Sequence, residues 1–297
     1  MFPKVPDQHK PNKPLVPTGL GIIYVIVSAA YLFVLHAFEF DVKLSGGDVS
    51  PTLTLAVCIL FGGFMGLLDD WMDLRWRYKA FFPLVAAVPL VALTYRTYIA
   101  DITQIRTKIT IPLLGTLDFG VCYFFVLIPL IVTVTTNTVN QLGGLNGLET
   151  VCPAIVLIGL MVASGKNAVL LTLPLAVWLT LAHFNFQGKI FVGNTGSFAI
   201  GITLAAFAII SDLKWCLLIS LSPYILNSSM ILLNYFFFRT KANVSFDGER
   251  LFSDHRRSLI TLITYRRRMT ERQVVTVIAF LVAVSTFVAV VFQLFLL

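Results

Sequence analysis

The feature that most constrains this chain is the recurrence of apolar runs about as long as a membrane is thick. A helix needs about 20 apolar residues to cross the hydrocarbon core of a bilayer, within a range of about 17–25. Nine such runs alternate with charged segments along the 297 residues. They cover residues 19–38, 51–68, 80–96, 119–137, 147–164, 168–186, 196–211, 214–238 and 274–297. The sequence therefore predicts one all-α integral membrane domain, residues 1–297, with about nine transmembrane helices.

Composition excludes the soluble alternatives. Hydrophobic residues make up 57% of the chain and charged residues 12%, whereas soluble domains have about 45–50% apolar and about 25% charged residues. These proportions exclude a soluble enzyme, a disordered protein and a secreted disulfide scaffold. The cysteines form no CxxC pair and the histidines lack the spacing of metal ligands, so neither residue type predicts a metal site.

Positive charge is distributed unevenly between the two sets of connections. One set holds 16 of the 22 lysines and arginines. It comprises residues 1–18, 69–79, 138–146, 187–195 and 239–273. The other cations are Lys43, Arg96, Arg106, Lys108, Lys166 and Lys214. Since positive loops face the cytoplasm, we expect the N-terminus inside and the C-terminus outside, and a basic cytoplasmic face suited to anionic lipids or an anionic substrate.

One external connection has the pattern of β structure. In residues 97–118, isoleucine and threonine alternate with polar residues, which is typical of a short strand pair. We expect a β-hairpin on the external face, with Thr107 and Lys108 at a turn and with a scaffolding role.

Two polar clusters in the predicted cytoplasmic connections contain carboxylates or amides. Ionisable groups at a membrane edge are costly, so a cluster of them suggests a site. Asp69 and Asp70 directly follow the second run, and adjacent carboxylates persist most easily beside a cation. Residues 136–149 contain three asparagines, a glutamine and three glycines, which offer oxygen ligands and close backbone approach. The alternatives are a charged helix end and a glycine-rich turn.

Two further clusters offer groups that bind anions. Residues 191–197 begin the seventh run, where Asn194 or Thr195 would cap a helix whose N-terminus faces a phosphate; a cap with no further role is the alternative. His255 and Arg256 lie in a 35-residue basic loop, and arginine binds phosphate oxygens in pairs, although a loop that only sets topology would also be basic. Together the four clusters predict a cytoplasmic site for an anionic, metal-bound substrate.

Four motifs in this order make the chain similar to a known family. The segments FGGFMGLLDD, TNTVNQLGGLNGLE, FVGNTGS and HRR resemble those of the polyprenyl-phosphate N-acetylhexosamine-1-phosphate transferases. The resemblance runs from about residue 6 to the last helix and is strongest to the archaeal and eukaryotic dolichyl-phosphate GlcNAc-1-phosphotransferases. It implies transfer of GlcNAc-1-phosphate from UDP-GlcNAc to a polyprenyl or dolichyl phosphate, with release of UMP, at the start of N-glycosylation. Another UDP-N-acetylhexosamine is left open as donor.

The resemblance also implies a cofactor and roles for individual residues. The cofactor is Mg²⁺, with Mn²⁺ as the alternative. Asp69 would be the base or would orient the lipid phosphate, and Asp70 would be its partner near the metal. The resemblance also implies that Asn140 and Asn194 bind the metal. It implies that uridine is bound by Gly144, Leu145, Asn146 and the stacking ring of Phe191. Phosphate or sugar binding is implied for Lys79, His255 and Arg256, and the additional candidates are Asp73, Asn137 and Glu149.

The chain departs from the family pattern in two ways. The family's usual first helix is missing, which accounts for nine expected spans instead of ten. Asn194 stands where the family has a metal-binding aspartate, which raises the alternative of an impaired protein that only binds UDP-sugar or lipid phosphate. A transporter is the third alternative, although its charges would lie in broken helices at mid-membrane.

The expected setting and partners follow from the same resemblance. The site would face the cytoplasm from the plasma membrane, or from the endoplasmic reticulum in a eukaryote. The partners would be a UDP-sugar, a polyprenyl or dolichyl phosphate and the lipid bilayer, without nucleic acid. A homodimer is left open.

Overall fold

The computed structural model describes residues 2–39, 49–100, 107–111 and 115–296. The helices in these residues are α1 (Gly21–Ala37), α2 (Pro51–Met72), α3 (Trp76–Ala100), α4 (Ile128–Gln141), α5 (Leu148–Ala163), α6 (Thr172–Phe186), α7 (Gly193–Ile210), α8 (Lys214–Ser220), α9 (Ser222–Phe238), α10 (Leu259–Ile263) and α11 (Glu271–Leu296). A π-helical turn, Tyr123–Leu127, leads into α4, and a 3₁₀ segment, Gly165–Leu171, leads into α6. Predicted cations Lys43 and Arg106 lie outside the described residues.

The predicted helical membrane architecture is confirmed, while the number of spans is not fixed. Within the described residues, six segments are long and apolar enough to cross a membrane. They are Pro51–Met72, Trp76–Ala100, Tyr123–Gln141, Gly165–Phe186, Gly193–Ile210 and Glu271–Phe295. The pair α8 and α9 makes a seventh if it is one bent span, and α1 and α5 are shorter apolar helices. The count of nine therefore stays a prediction.

The bend between α8 and α9 is 58°. Pro223 in the first turn of α9 has no N–H to donate, so the ladder of helix hydrogen bonds is interrupted there. The hydroxyl of Ser285 on α11 donates to the carbonyl of Ser220, at 3.1 Å. A neighbouring helix thus satisfies a carbonyl at the break, as a membrane interior requires.

Three short antiparallel strand pairs lie outside the helices of the described residues. They are β1 (Lys4–Pro6) with β2 (Leu15–Pro17), β3 (Lys108–Ile111) with β4 (Gly115–Asp118), and β5 (Ser245–Phe246) with β6 (Leu251–Phe252). The predicted turn at Thr107 and Lys108 is wrong, because Lys108 is in β3, opposite Asp118. Alternation indicated the strand but not its end, and the linking residues 112–114 lie outside the described ranges. The external location of this pair stays a prediction.

Helix α7 is the centre of the bundle. Of its 18 residues, 16 are buried, and it packs most extensively against α2. A β-carbon added to Gly66 of α2 would lie 2.2 Å from the carbonyl oxygen of Asn194. One added to Gly21 of α1 would lie 2.2 Å from the Cα of Gly196. Glycine is therefore required where these backbones touch, as is common between membrane helices.

The N-terminal strand pair is attached to the start of α7. The N–H of Phe191 donates to the carbonyl of Pro17 at 2.8 Å, and the N–H of Gly21 donates to the carbonyl of Val192 at 2.9 Å. These bonds join the N-terminal segment, the start of α1 and the segment before α7. The candidate site is built at this end of the bundle.

Candidate active site at the start of helix α7

The side chain of Asp70 caps α7. Its carboxylate accepts hydrogen bonds from the backbone N–H of Asn194 at 2.8 Å and of Thr195 at 2.9 Å, and from the Thr195 hydroxyl at 2.7 Å. The prediction that Asn194 or Thr195 caps this helix is wrong, because the cap comes from α2. Sequence reasoning identified the helix start but not a partner 124 residues away in the chain. These amides therefore bind a carboxylate, which is an anion suited to a helix N-terminus.

Asp69 is oriented differently from its neighbour. It is buried, and its Oδ1 lies 2.8 Å from the Lys79 ammonium and accepts the N–H of Leu74 at 3.1 Å. Its Oδ2 is buried without a hydrogen-bond partner among the described residues. The adjacent carboxylates thus have separate partners, which relieves the repulsion that the sequence indicated. Asp73 is fully exposed, with one oxygen 4.0 Å from the same ammonium.

The two asparagines implied as metal ligands both lie at the start of α7. Asn140 of α4 accepts a hydrogen bond from the Ser197 hydroxyl at 2.7 Å, which ties it to the first turn of α7. The half-buried Asn194 side chain has no hydrogen bond to any residue that the structure describes, although its backbone N–H binds Asp70. Amide and carboxylate oxygens, with the unpartnered Oδ2 of Asp69, form a donor set that fits a hard cation such as Mg²⁺.

The residues implied in uridine binding line one cavity. It has a volume of about 310 Å³ and brings Gly144, Leu145, Asn146, Glu149 and Phe191 together. Its remaining lining is Pro6, Asp7, Gln8 and His9 from the N-terminal segment. Part of the cavity wall is therefore formed by polar side chains of the N-terminal segment, which the family motifs did not indicate.

A buried asparagine that sequence reasoning missed supports this cavity. Asn185 at the end of α6 is fully buried, and its Oδ1 accepts the Gly147 N–H at 2.8 Å and the Thr150 hydroxyl at 2.9 Å. Its Nδ2 donates to the Ile190 carbonyl at 2.8 Å and to Glu149 at 3.2 Å. Asn185 therefore fixes the glycine-rich loop against the segment before α7. An asparagine within an apolar run was the available signal.

A second and larger cavity, about 700 Å³, is mainly apolar. Lys79, Asn137 and Asn140 contribute to its polar lining, and Trp76, Ile225, Leu232 and Phe236 to its apolar wall. Asn137 also donates to the Thr133 carbonyl at 2.9 Å. Asn140 connects this cavity, through Ser197, to the same turn of α7 that Asp70 caps.

His255 and Arg256 have contacts within their own basic loop. The guanidinium of Arg256 stacks on Tyr265 at 4.1 Å and lines a different cavity of about 430 Å³. His255 is largely buried, and its Nδ1 has no partner among the described residues. Within those residues, no hydrogen bond or ion pair joins either side chain to another predicted site residue. Their roles in phosphate or sugar binding therefore stay a prediction.

The turn that shapes this loop is stabilised by Asp247. Its carboxylate accepts the N–H of Arg250 at 2.8 Å and of Glu249 at 3.2 Å. The Arg250 N–H is the main cause that lowers the pKa of Asp247 below its usual value, followed by the Glu249 N–H. The aspartate therefore stays ionised in the β5–β6 turn and fixes the backbone of the loop.

Comparison with known sequences identifies the family of this chain. The profile of glycosyl transferase family 4 matches residues 52–212, more than half of the chain. The chain belongs to glycosyl transferase family 4. The matched region of this glycosyl transferase family 4 protein begins at α2 and ends just beyond α7, so it contains Asp69, Asp70, Asn140 and Asn194.

Relatives of this family 4 chain have names that specify a reaction. A Saccharolobus solfataricus protein, provisionally named as a UDP-N-acetylglucosamine–dolichyl-phosphate N-acetylglucosaminephosphotransferase, is 29% identical over 97% of this chain and 87% of its own length. The enzyme with that name from Dictyostelium discoideum is 27% identical over 71% of this chain and 59% of its own length. A Synechococcus phospho-N-acetylmuramoyl-pentapeptide-transferase is 31% identical over 67% of this chain and 60% of its own length.

Proposed function

We propose that this protein transfers GlcNAc-1-phosphate from UDP-GlcNAc to dolichyl phosphate or another polyprenyl phosphate and releases UMP. The names of the relatives that align over most of the chain support this substrate pair. The comparisons do not support the alternative of a catalytically impaired relative.

The observation that carries the proposal is the pair of cavities connected to the start of α7. The smaller contains the residues implied in uridine binding, and Phe191 joins it to the segment before α7. The larger has an apolar wall suited to an isoprenoid chain and a lysine suited to a phosphate. A nucleotide donor and a lipid acceptor would therefore meet near Asp69 and Asp70.

The reaction needs positioning more than strong base catalysis. A phosphate oxygen of the lipid attacks the phosphorus that carries the sugar, and the bond from that phosphorus to UMP breaks. A phosphate monoester is largely dianionic near neutral pH, since its second pKa is about 6. Asp69, ion-paired with Lys79 at 2.8 Å, would hold that ammonium where the lipid phosphate binds. Phosphoryl transfer depends mainly on such positioning and on charge neutralisation.

The proposed cofactor is Mg²⁺. Asn140 and Asn194, with the unpartnered oxygen of Asp69, would hold it through oxygen atoms beside Asp70. When bound, it would neutralise the pyrophosphate and polarise its oxygens. We also propose that the site faces the cytoplasm, from the distribution of 16 of 22 cations.

A direct assay tests the proposed reaction. The purified protein in detergent is incubated with β-³²P-labelled UDP-GlcNAc, dolichyl phosphate and Mg²⁺. We expect labelled lipid and an equal amount of UMP, and we expect both to disappear when EDTA is added. UDP-GlcNAc binding without product would support the impaired alternative, and solute flux in reconstituted vesicles without product would support a transporter.

A further inference from the structure

The side chain of Asn146 is held by two carboxylates from distant parts of the chain. It is 4% exposed and lines the 310 Å³ cavity. Its Nδ2 donates to Asp7 Oδ2 at 2.7 Å and to Glu271 Oε1 at 3.0 Å. Its backbone N–H donates to the same Glu271 oxygen at 2.7 Å. Both amide hydrogens are therefore used, and Oδ1 is left buried without a partner among the described residues.

The two carboxylates determine which way this amide points. The oxygen and nitrogen ends of a carboxamide have nearly the same size, so hydrogen bonds decide its orientation. An ionised carboxylate only accepts hydrogen bonds. A reversed Asn146 amide would place its oxygen against Asp7 and Glu271 and would lose both bonds. Only the acceptor end of Asn146 remains for a ligand.

The carboxylates themselves are fixed by other donors. The Lys10 ammonium lies 2.5 Å from Glu271 Oε2, and the backbone N–H of His9 donates to Asp7 Oδ1 at 3.2 Å. Each of the four carboxylate oxygens therefore has a donor. Asp7, His9 and Glu271 are also close enough to share a metal ion. The Lys10 ammonium and the Asn146 amide already bind these carboxylates. We therefore interpret the arrangement as a hydrogen-bond network and not as a metal site.

We propose that Asp7 and Glu271 are positioning residues that make the donor site specific for uracil over cytosine. Uracil has an N–H at position 3, which pairs with an acceptor such as Asn146 Oδ1. Cytosine has a lone pair at that position, which faces the oxygen without a hydrogen. The inference rests on the proposed function, because it places the nucleotide base in this cavity.

Conversion of the two carboxylates to amides should allow the Asn146 amide to adopt either orientation. Asp7→Asn and Glu271→Gln conserve size, but each new side chain both donates and accepts, so Asn146 is able to turn either end to the base. A hydrogen bond to an unpaired buried group changes affinity by about tenfold or more. We expect the original protein to bind UDP at least about tenfold more tightly than CDP, and the double variant at most about threefold more tightly.

Binding of UDP and CDP to the full chain in detergent, measured by calorimetry with Mg²⁺ present, tests this inference. The set comprises the original protein, both single variants, the double variant and Glu39→Gln. Glu39 is an exposed carboxylate after α1, so its variant is a matched control and should keep the original ratio. The single variants should give intermediate ratios, which keeps the test informative if the double variant fails to fold.

The ratio of affinities separates positioning from simple stabilisation. If Asp7 and Glu271 only stabilise the fold, their variants lower Tm or weaken both nucleotides equally, and an unchanged ratio overturns the inference. Failure of the original protein to bind either nucleotide, or equal binding of both, also overturns it. Selective UDP binding without labelled lipid product would instead refute the proposed function and leave this inference standing.

Discussion

At the residue scale, the two adjacent aspartates have different surroundings and should respond differently to the same change. Asp69 is buried and paired with Lys79, whereas Asp70 is exposed and caps α7. The shared motif predicted both residues for the site, and the resemblance implied a different role for each, but neither indicated their separate contacts. That separation depends on which neighbours α3 and α7 bring to them.

We expect Asp69→Asn and Asp70→Asn each to lower kcat at least about 100-fold, because Asp69 positions the Lys79 ammonium and Asp70 positions the start of α7, and a small misplacement of reacting groups costs about 100-fold. Asp70→Asn should also lower Tm, because an uncharged cap weakens a helix start by up to about 1 kcal/mol. Steady-state rates and thermal unfolding in the same detergent measure both effects. Glu39→Gln is the control for loss of one negative charge, and a normal rate in either aspartate variant would remove that residue from the chemistry.

The second prediction concerns Asn194, which lies in the first turn of α7 beside the Asp70 carboxylate. Asn194→Asp adds an anionic oxygen where a hard cation is proposed, and ligand charge controls the affinity of such sites. We expect this variant to need less Mg²⁺ for half-maximal activity. A Mg²⁺ titration at saturating UDP-GlcNAc and dolichyl phosphate measures it. An identical titration curve would mean that Asn194 does not bind the metal.

The sequence indicated candidate site residues but not the contacts between them. The motifs indicated Asp69 and Asp70 because ionisable groups at a membrane edge are costly, and Asn140 and Asn146 because they lie in a cluster of amides and glycines. Asp7 and Glu271 carried no comparable signal, since isolated acids in basic segments are usual. Their contacts with Asn146 span 139 and 125 positions, and only the packed bundle brings them together.

At the element scale, glycines set the distance between α2 and α7. The apolar runs predicted the helices well, because length and composition suffice for membrane segments. They did not predict which helices touch or the burial of α7 on all sides. Those features depend on close backbone contacts such as that between Gly66 and Asn194.

We expect Gly66→Ala to lower both Tm and activity, because its β-carbon would meet backbone atoms of Asn194 and Thr195 at 2.2–2.5 Å. The helices would have to separate, which would pull Asp70 from the start of α7. Thermal unfolding and the transfer assay measure the two losses.

Gly159→Ala provides the comparison for this change. Its β-carbon would meet the methyl group of Thr286 at 2.2 Å, and that side chain is able to rotate away. Activity per folded molecule should be retained. Equal loss of activity in both variants would argue against a specific role for the α2–α7 contact.

At the scale of the whole molecule, the remaining prediction is orientation. Among the cysteines, Cys122 is exposed and Cys58, Cys152 and Cys216 are buried. Cys122 precedes the segment Tyr123–Gln141 at its predicted external end. It is therefore a natural probe for the outside of the membrane.

We expect a membrane-impermeant maleimide to label Cys122 in intact cells. Lys4→Cys, in a chain whose Cys122 is replaced by serine, should be labelled only after the membrane is permeabilised, because the basic N-terminus is predicted to lie inside. Lys4 is exposed in β1, so both probes are accessible in the folded chain. The reverse labelling pattern would invert the topology and place the proposed site outside.

The central position of α7 has a consequence for how the chain is made. This helix contacts α1, α2, α3, α4 and α5, which are synthesised before it, and α8, which is synthesised after it. Because nearly all of its surface is covered by protein, it reaches its final environment only when both groups are present. The earlier helices must therefore remain in the membrane with their inner faces uncovered until α7 is made, and Asn146 in the smaller cavity gains its contact with Glu271 only after the start of α11 has been synthesised.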